Sequence, residues 1–211
     1  MSVSGSSECR RIVRILSGYY GELPWWPGDT DEVLIGAVLT QQTRWENVEQ
    51  ALEVLKERRL CTISAVHDAE PDEIEQAIRC TGFYRVKTKR LKELARYIKE
   101  QHGSVRKMGD RPTSELRSGL LEVSGIGAET ADSILCFGFG RPSFVIDAYT
   151  HRICACRGIR ERGPGLKDLF ERVLPNDNAA YRQTHAHIVE YAKEFCGKKR
   201  CSECILKSSS N

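Results

Sequence analysis

The stretch Glu115-Leu-Arg-Ser-Gly-Leu-Leu-Glu-Val-Ser-Gly-Ile-Gly-Ala-Glu-Thr-Ala-Asp-Ser-Ile-Leu135 reads as an amphipathic helix, a Gly-Ile-Gly turn and a second amphipathic helix. Two glycines around one apolar residue permit a tight hairpin that a Cβ would obstruct. Such a turn leaves the backbone N–H groups of Gly125, Gly127 and Ala128 pointing outward at a helix start, where the dipole favours an anion such as a phosphate. Taken alone, the same residues also describe an ordinary αα-hairpin with a glycine turn.

Outward from this hairpin the apolar spacing stays helical. Ile12, Ile15 and Leu16, then Val33, Leu34, Ala37 and Val38, then Val48, Leu52 and Leu55 recur at three or four residues, and strand-like alternation is nearly absent. Polar caps or prolines mark helix starts at Asp29-Thr30-Asp31, Pro71-Asp72-Glu73, Pro112-Thr113-Ser114-Glu115 and Pro164, and glycines 21, 82, 103, 158 and 163 punctuate the ends. The expectation is an all-α fold of roughly ten helices. No linker, heptad array or repeat interrupts the chain.

Composition narrows the partners only slightly. The chain has 211 residues, is 40% hydrophobic and carries a formal net charge of +3, enough for a core and compatible with a nucleic acid without requiring one. No apolar run approaches the roughly 20 residues that span a bilayer, and Met-Ser-Val-Ser-Gly lacks the apolar stretch of a signal peptide, so a cytoplasmic, non-membrane protein is expected. Nine cysteines in such a chain favour core or metal-ligand roles over disulfides. Cys9, Cys61, Cys80, Cys136, Cys154 and Cys156 sit among apolar neighbours and are expected to be small buried hydrophobes. His185 and His187 are two residues apart and face different sides of a helix, which argues against a zinc pair. Asp147, between Phe144-Val-Ile and a helical stretch, belongs at a helix N-terminus in a partly apolar setting, either as a simple cap or as a poorly hydrated anion.

Three segments in order carry a family resemblance. Val123-Ser-Gly-Ile-Gly-Ala-Glu-Thr-Ala-Asp132 followed by Phe144-Val-Ile-Asp-Ala-Tyr-Thr-His-Arg152 resembles the paired signature of endonuclease III-like helix-hairpin-helix DNA glycosylases, and Leu39-Thr-Gln-Gln-Thr43 resembles their early glutamine loop. The similarity runs from about Trp25 to Cys204. It implies two helical subdomains, 1–28 with 140–211 and 29–139, with the active-site cleft between them. It also implies a monomer acting on double-stranded DNA in a prokaryotic cytoplasm, with Asp147 as the essential carboxylate. A fixed carboxylate stabilises the positive charge that develops on the sugar as a base departs.

Departures from the pattern define a subtype. Where the lyase-competent branch carries a nucleophilic lysine, this chain has Glu129, which cannot form a Schiff base, so hydrolysis without strand nicking is expected. Where the adenine-removing branch carries glutamate, this chain has Ala37. Pro24-Trp-Trp-Pro27, Gly36-Ala-Val-Leu-Thr-Gln-Gln-Thr43, Thr81-Gly-Phe-Tyr84 and Gly127-Ala-Glu-Thr-Ala-Asp-Ser-Ile-Leu135 resemble the 3-methyladenine DNA glycosylase branch. A base alkylated on a ring nitrogen is cationic and already a good leaving group, and Trp25 and Trp26 could face it while Glu129 adds negative potential.

The resemblance completes a base pocket with Thr40, Tyr149 and Lys193, and places Gln41, Gln42, Gly125, Gly127, Ala128, Thr130, Lys87 and Arg152 on DNA. Gln41 and Gln42 are the candidates to fill the gap left by a flipped base. Arg85-Val-Lys-Thr-Lys-Arg90, with Arg79, gathers cations at a helix start, the end the dipole disfavours, and so points to phosphates. Cys196-Gly-Lys-Lys-Arg-Cys201-Ser-Glu-Cys204 resembles the family's [4Fe-4S] loop, with a structural role, but the fourth family cysteine falls near Ser210. Serine or an exogenous ligand completes such a cluster, or the loop is a relic without metal. The remaining readings are a glycosylase for uracil or thymine opposite guanine, an endonuclease III-like activity, and a non-catalytic DNA-binding module.

Overall fold

The computed structural model describes residues 5–24 and 28–207, and Trp25, Trp26 and Ser210 lie outside them. Among the described residues every regular element is helical, as the spacing predicts, and no helix is long and apolar enough to cross a membrane. The chain divides into two compact units, Met1–Trp26 with Arg141–Asn211, and Pro27–Gly140.

The second unit is built from α2 (Thr30–Leu39), α3 (Trp45–Glu57), α4 (Ile63–Asp68), α5 (Pro71–Ala77), α6 (Tyr84–His102), α7 (Val105–Gly109), α8 (Thr113–Glu122) and α9 (Ala128–Ser133). Helix α2 is apolar on all sides and buried from Glu32 to Leu39, so the other helices assemble around it. Its start is set by Asp29, whose carboxylate accepts the Glu32 N–H at 2.9 Å. Four helices, α4, α5, α7 and α9, are only five to seven residues long. They bring the total to twelve among the described residues, above the ten expected, because one or two turns are too short to display a 3.6-residue period.

The first unit holds α1 (Gly5–Tyr20), α10 (Ala148–Cys156), α11 (Gly163–Val173) and α12 (Asn178–Tyr191). Phe144 anchors its core, stacked on Phe170 with centroids 4.4 Å apart and edge-on to Tyr181 at 5.7 Å. Gly163 opens α11 instead of closing α10, where the terminating glycine is Gly158. Two helices end in π-helical turns, α9 through Ile134–Gly138 and α12 through Ala192–Cys196. Such wide turns re-aim side chains and concentrate at functional segments. The second delivers Cys196.

Candidate active site

Asp147 is the N-cap of α10 and is 8% exposed. Its Oδ1 accepts both the Thr150 N–H and the Thr150 hydroxyl, each at 2.7 Å. Its Oδ2 lies 3.5 Å from Nε2 of His185, itself buried on α12. Burial alone pushes this carboxyl up, but the contact with His185 and the two Thr150 bonds outweigh it and hold the group below the ordinary Asp value. The result is an ionised, nearly water-free carboxylate with a fixed orientation.

His185 was not singled out by its sequence position for this task. The two histidines do diverge: the Nε2 of His187 lies 2.7 Å from the Gly21 carbonyl oxygen, and its ring stacks on Tyr20. Only the packing of α12 beside α10 places His185 against Asp147.

The hairpin lies in the other unit. Helices α8 and α9 are tied by Arg117, whose guanidinium grips Asp132 bidentately at 2.8 and 3.1 Å. Gly125 has φ of 87°, and a Cβ there would run into the Arg90 side chain, so both backbone conformation and close approach require glycine. Gly127 caps α9, with Ala128 and Glu129 exposed in its first turn.

The glutamine loop meets this hairpin through Gln41, not Gln42. The Gln41 amide donates to the Gly125 carbonyl at 3.0 Å and to the Thr130 hydroxyl at 2.9 Å, while Arg90 donates to its oxygen. Thr130 is buried in that contact. Gln41 therefore spends its polar atoms on Gly125, Thr130 and Arg90, within the unit that carries the hairpin. Gln42 is exposed, with φ of 54°, a conformation that costs a non-glycine residue free energy and persists where surrounding structure imposes it.

Lys87 is a correction to the expectation from sequence. It is 1% exposed, and its ammonium donates to the carbonyls of Leu39 at 2.8 Å and Thr81 at 3.0 Å and to the Thr43 hydroxyl. Burial, then the Arg90 charge, pulls it down to about 8. An ammonium fully used by three protein oxygens cannot meet a phosphate. Instead it ties the loop after α2 to the loop before α6. That second loop carries Phe83, which is 69% exposed with φ of 47° and was not recognised from its sequence position. The signal was available, since Gly82-Phe-Tyr-Arg puts a bulky apolar residue between a glycine and a cation, but exposure needed the structure. Lys87→Met should leave the Leu39 carbonyl without its ammonium donor, while the Thr81 carbonyl keeps the Thr43 hydroxyl at 2.8 Å, and cost about 1–3 kcal/mol, read as a fall in unfolding free energy by denaturant titration.

Thr40 is exposed and its hydroxyl is turned back to the Ala37 carbonyl at 3.0 Å. Tyr149 is half-buried beside Asp147 in sequence, Arg152 is exposed on α10, and exposed Lys193 pairs with Glu190 at 3.0 Å.

Of the six cysteines expected in the core, Cys9, Cys136 and Cys154 are buried and Cys61 and Cys80 are half-buried. Cys156 is exposed, a correction that follows from helix geometry: two residues beyond buried Cys154, it faces away from the core. It lines one largely apolar cavity of about 50 Å³ together with Cys196, Cys201 and Cys204. The Tyr191 hydroxyl donates to Cys204 Sγ at 3.0 Å. Burial, then the neighbouring Cys156, pushes the Cys196 thiol up. Four soft donors around an apolar space fit an iron–sulfur group.

Comparison with known proteins agrees with this architecture. Residues 35–175 match the model of the HhH-GPD superfamily base excision DNA repair proteins, and the chain belongs to that family. It is 42% identical over 204 residues to a Methanocaldococcus jannaschii protein provisionally named a DNA repair glycosylase, covering 93% of each chain. It is 32% identical to endonuclease III of Thermotoga maritima, covering 85% of this chain and 82% of that one. The structure of H. pylori 3-methyladenine DNA glycosylase bound to 1,N6-ethenoadenine superposes with a TM-score of 0.80 at 29% identity, over 88% of this chain and 97% of that one. This chain is therefore a DNA glycosylase of the helix-hairpin-helix class.

Proposed function

We propose that the enzyme removes alkylated purines, of the 3-methyladenine type, from duplex DNA by hydrolysis and leaves the abasic strand intact. The observation that carries this reading is Asp147, buried yet held ionised by Thr150 and His185. As the glycosidic bond stretches, positive charge gathers on the sugar, and a carboxylate already stripped of water interacts with it strongly without reorganising. A cationic alkylated base leaves without strong protonation, so one carboxylate suffices.

Two further features support the reading. Exposed Glu129 stands where an amine nucleophile would be needed for strand scission, and a carboxylate cannot supply it. The 29%-identical H. pylori enzyme is named for 3-methyladenine, and its bound base is an alkylated adenine derivative. Gly125, Gly127 and Ala128 present backbone N–H groups to a phosphate at the α9 start, and Arg152 offers a cation. Gln42 and Phe83, both exposed and both with left-handed backbone on the two loops that Lys87 ties together, are suited to filling the gap and wedging the stack, since apolar side chains between base steps unstack them. Trp25, Trp26, Thr40, Tyr149 and Lys193 are proposed to surround the extruded base. The cysteine cavity would hold an iron–sulfur cluster as a structural brace for the C-terminal loop, apart from the reaction.

Duplexes each carrying one lesion test the substrate. Release of 3-methyladenine at least tenfold faster than uracil or thymine opposite guanine is expected; the reverse order, or DNA binding with no base release, overturns the reading.

A further inference from the structure

Three thiols within Cys196–Cys204 leave a cluster one ligand short, and the position near Ser210 holds no cysteine. We propose that Cys156, at the last position of α10, supplies the fourth thiolate, so that Cys156, Cys196, Cys201 and Cys204 together bind one iron–sulfur cluster.

The geometry carries this in four ways. All four thiols line one cavity, although Cys156 is forty residues before Cys196 and is brought there only by the fold. Neither Cys156 nor Cys201 is buried, so neither is a small core hydrophobe. The other walls include Ile153, Phe195 and Leu206, and thiolate sulfur in such surroundings suits a soft metal centre. One cavity bordered by all four thiols offers the four cysteine ligands that a [4Fe-4S] cluster takes.

The surroundings are also those of an anionic centre. Arg157 and Lys207 reach the same cavity, and the Tyr191 hydroxyl is aimed at Cys204 Sγ, the kind of outer hydrogen bond that orients a ligand. Each thiol releases its proton on ligation, so binding is favoured as pH rises. Cys156 thereby makes α10, the helix that Asp147 caps, one wall of the cluster site. The inference concerns the cofactor alone and stands whether or not alkylated purines are the substrate.

The test is metal content and spectroscopy, without any activity assay. The full chain is reconstituted anaerobically with ferrous iron and sulfide, beside Cys156→Ala, Cys156→Val and, as a control outside the cavity, Cys61→Ala. The wild type and Cys61→Ala should hold iron and labile sulfide in equal amounts, about four of each per chain, with broad visible absorption. Both Cys156 variants should lose at least half of that iron, or show the electron paramagnetic resonance of a three-iron cluster, while far-ultraviolet circular dichroism stays helical. Should Cys156→Ala fold poorly, Cys156→Val, which has no donor atom, is the deciding variant. Unchanged iron and spectrum in a folded Cys156 variant, zinc as the bound metal, or no iron in the wild type overturns the proposal.

Discussion

Asp147→Asn is expected to lower base release by about 10²- to 10⁴-fold while leaving affinity for DNA and the fold nearly unchanged. Asparagine keeps the shape and one acceptor oxygen, so it can still accept the Thr150 N–H and cap α10 as well as aspartate does. What it loses is the negative charge beside the sugar. Single-turnover release with enzyme in excess checks this, alongside a binding isotherm at the same salt concentration. The same charge sets a pH signature. The folded carboxyl is held below its ordinary value of 3.8, so its contribution to stability is fully present above that value and lost as pH falls through the lower folded value. Comparing unfolding of wild type and Asp147→Asn between pH 7 and about 3 should show a difference that is constant at first and shrinks only in the most acidic samples.

Phe144→Ala should cost about 3–5 kcal/mol, the largest stability loss of any single truncation proposed here. The ring is fully buried between Phe170 and Tyr181, in the first unit's core, and its backbone N–H donates to Glu171 at 2.9 Å. Nearby helices can close such a void only partly, because interiors are packed like organic crystals. Three residues later comes Asp147, so slack at 144 is passed to the carboxylate. Denaturant unfolding measures the first effect. In protein that remains folded, base release should fall as well, whereas Leu169→Ala, in α11 and in the same unit, should lower stability with a smaller effect on rate.

The features legible in the sequence are those that depend on neighbours along the chain. Gly125-Ile-Gly127 encodes a turn that only glycine allows at φ of 87°, and Asp147 before Ala148-Tyr-Thr encodes a helix start. Both were readable because capping and left-handed backbone are local. The illegible features depend on segments far apart. A lysine in a basic run reads as a surface cation, and nothing local reveals that Leu39, Thr43 and Thr81 converge on Lys87. The pairing of His185 with Asp147 and the meeting of Cys156 with the C-terminal thiols likewise follow from which helices pack together. Gln41 and Gln42 are adjacent and alike, yet the first is consumed by the hairpin and the second is exposed.

The central claim is hydrolytic removal of an alkylated purine, and one reaction tests it most directly. A duplex with a single 3-methyladenine, labelled on the damaged strand, is incubated with enzyme in the presence and absence of borohydride. The account predicts free base, a strand that stays whole until treated with hot alkali, and no covalent protein–DNA adduct. Strand breaks without alkali together with a borohydride-trapped adduct would contradict it.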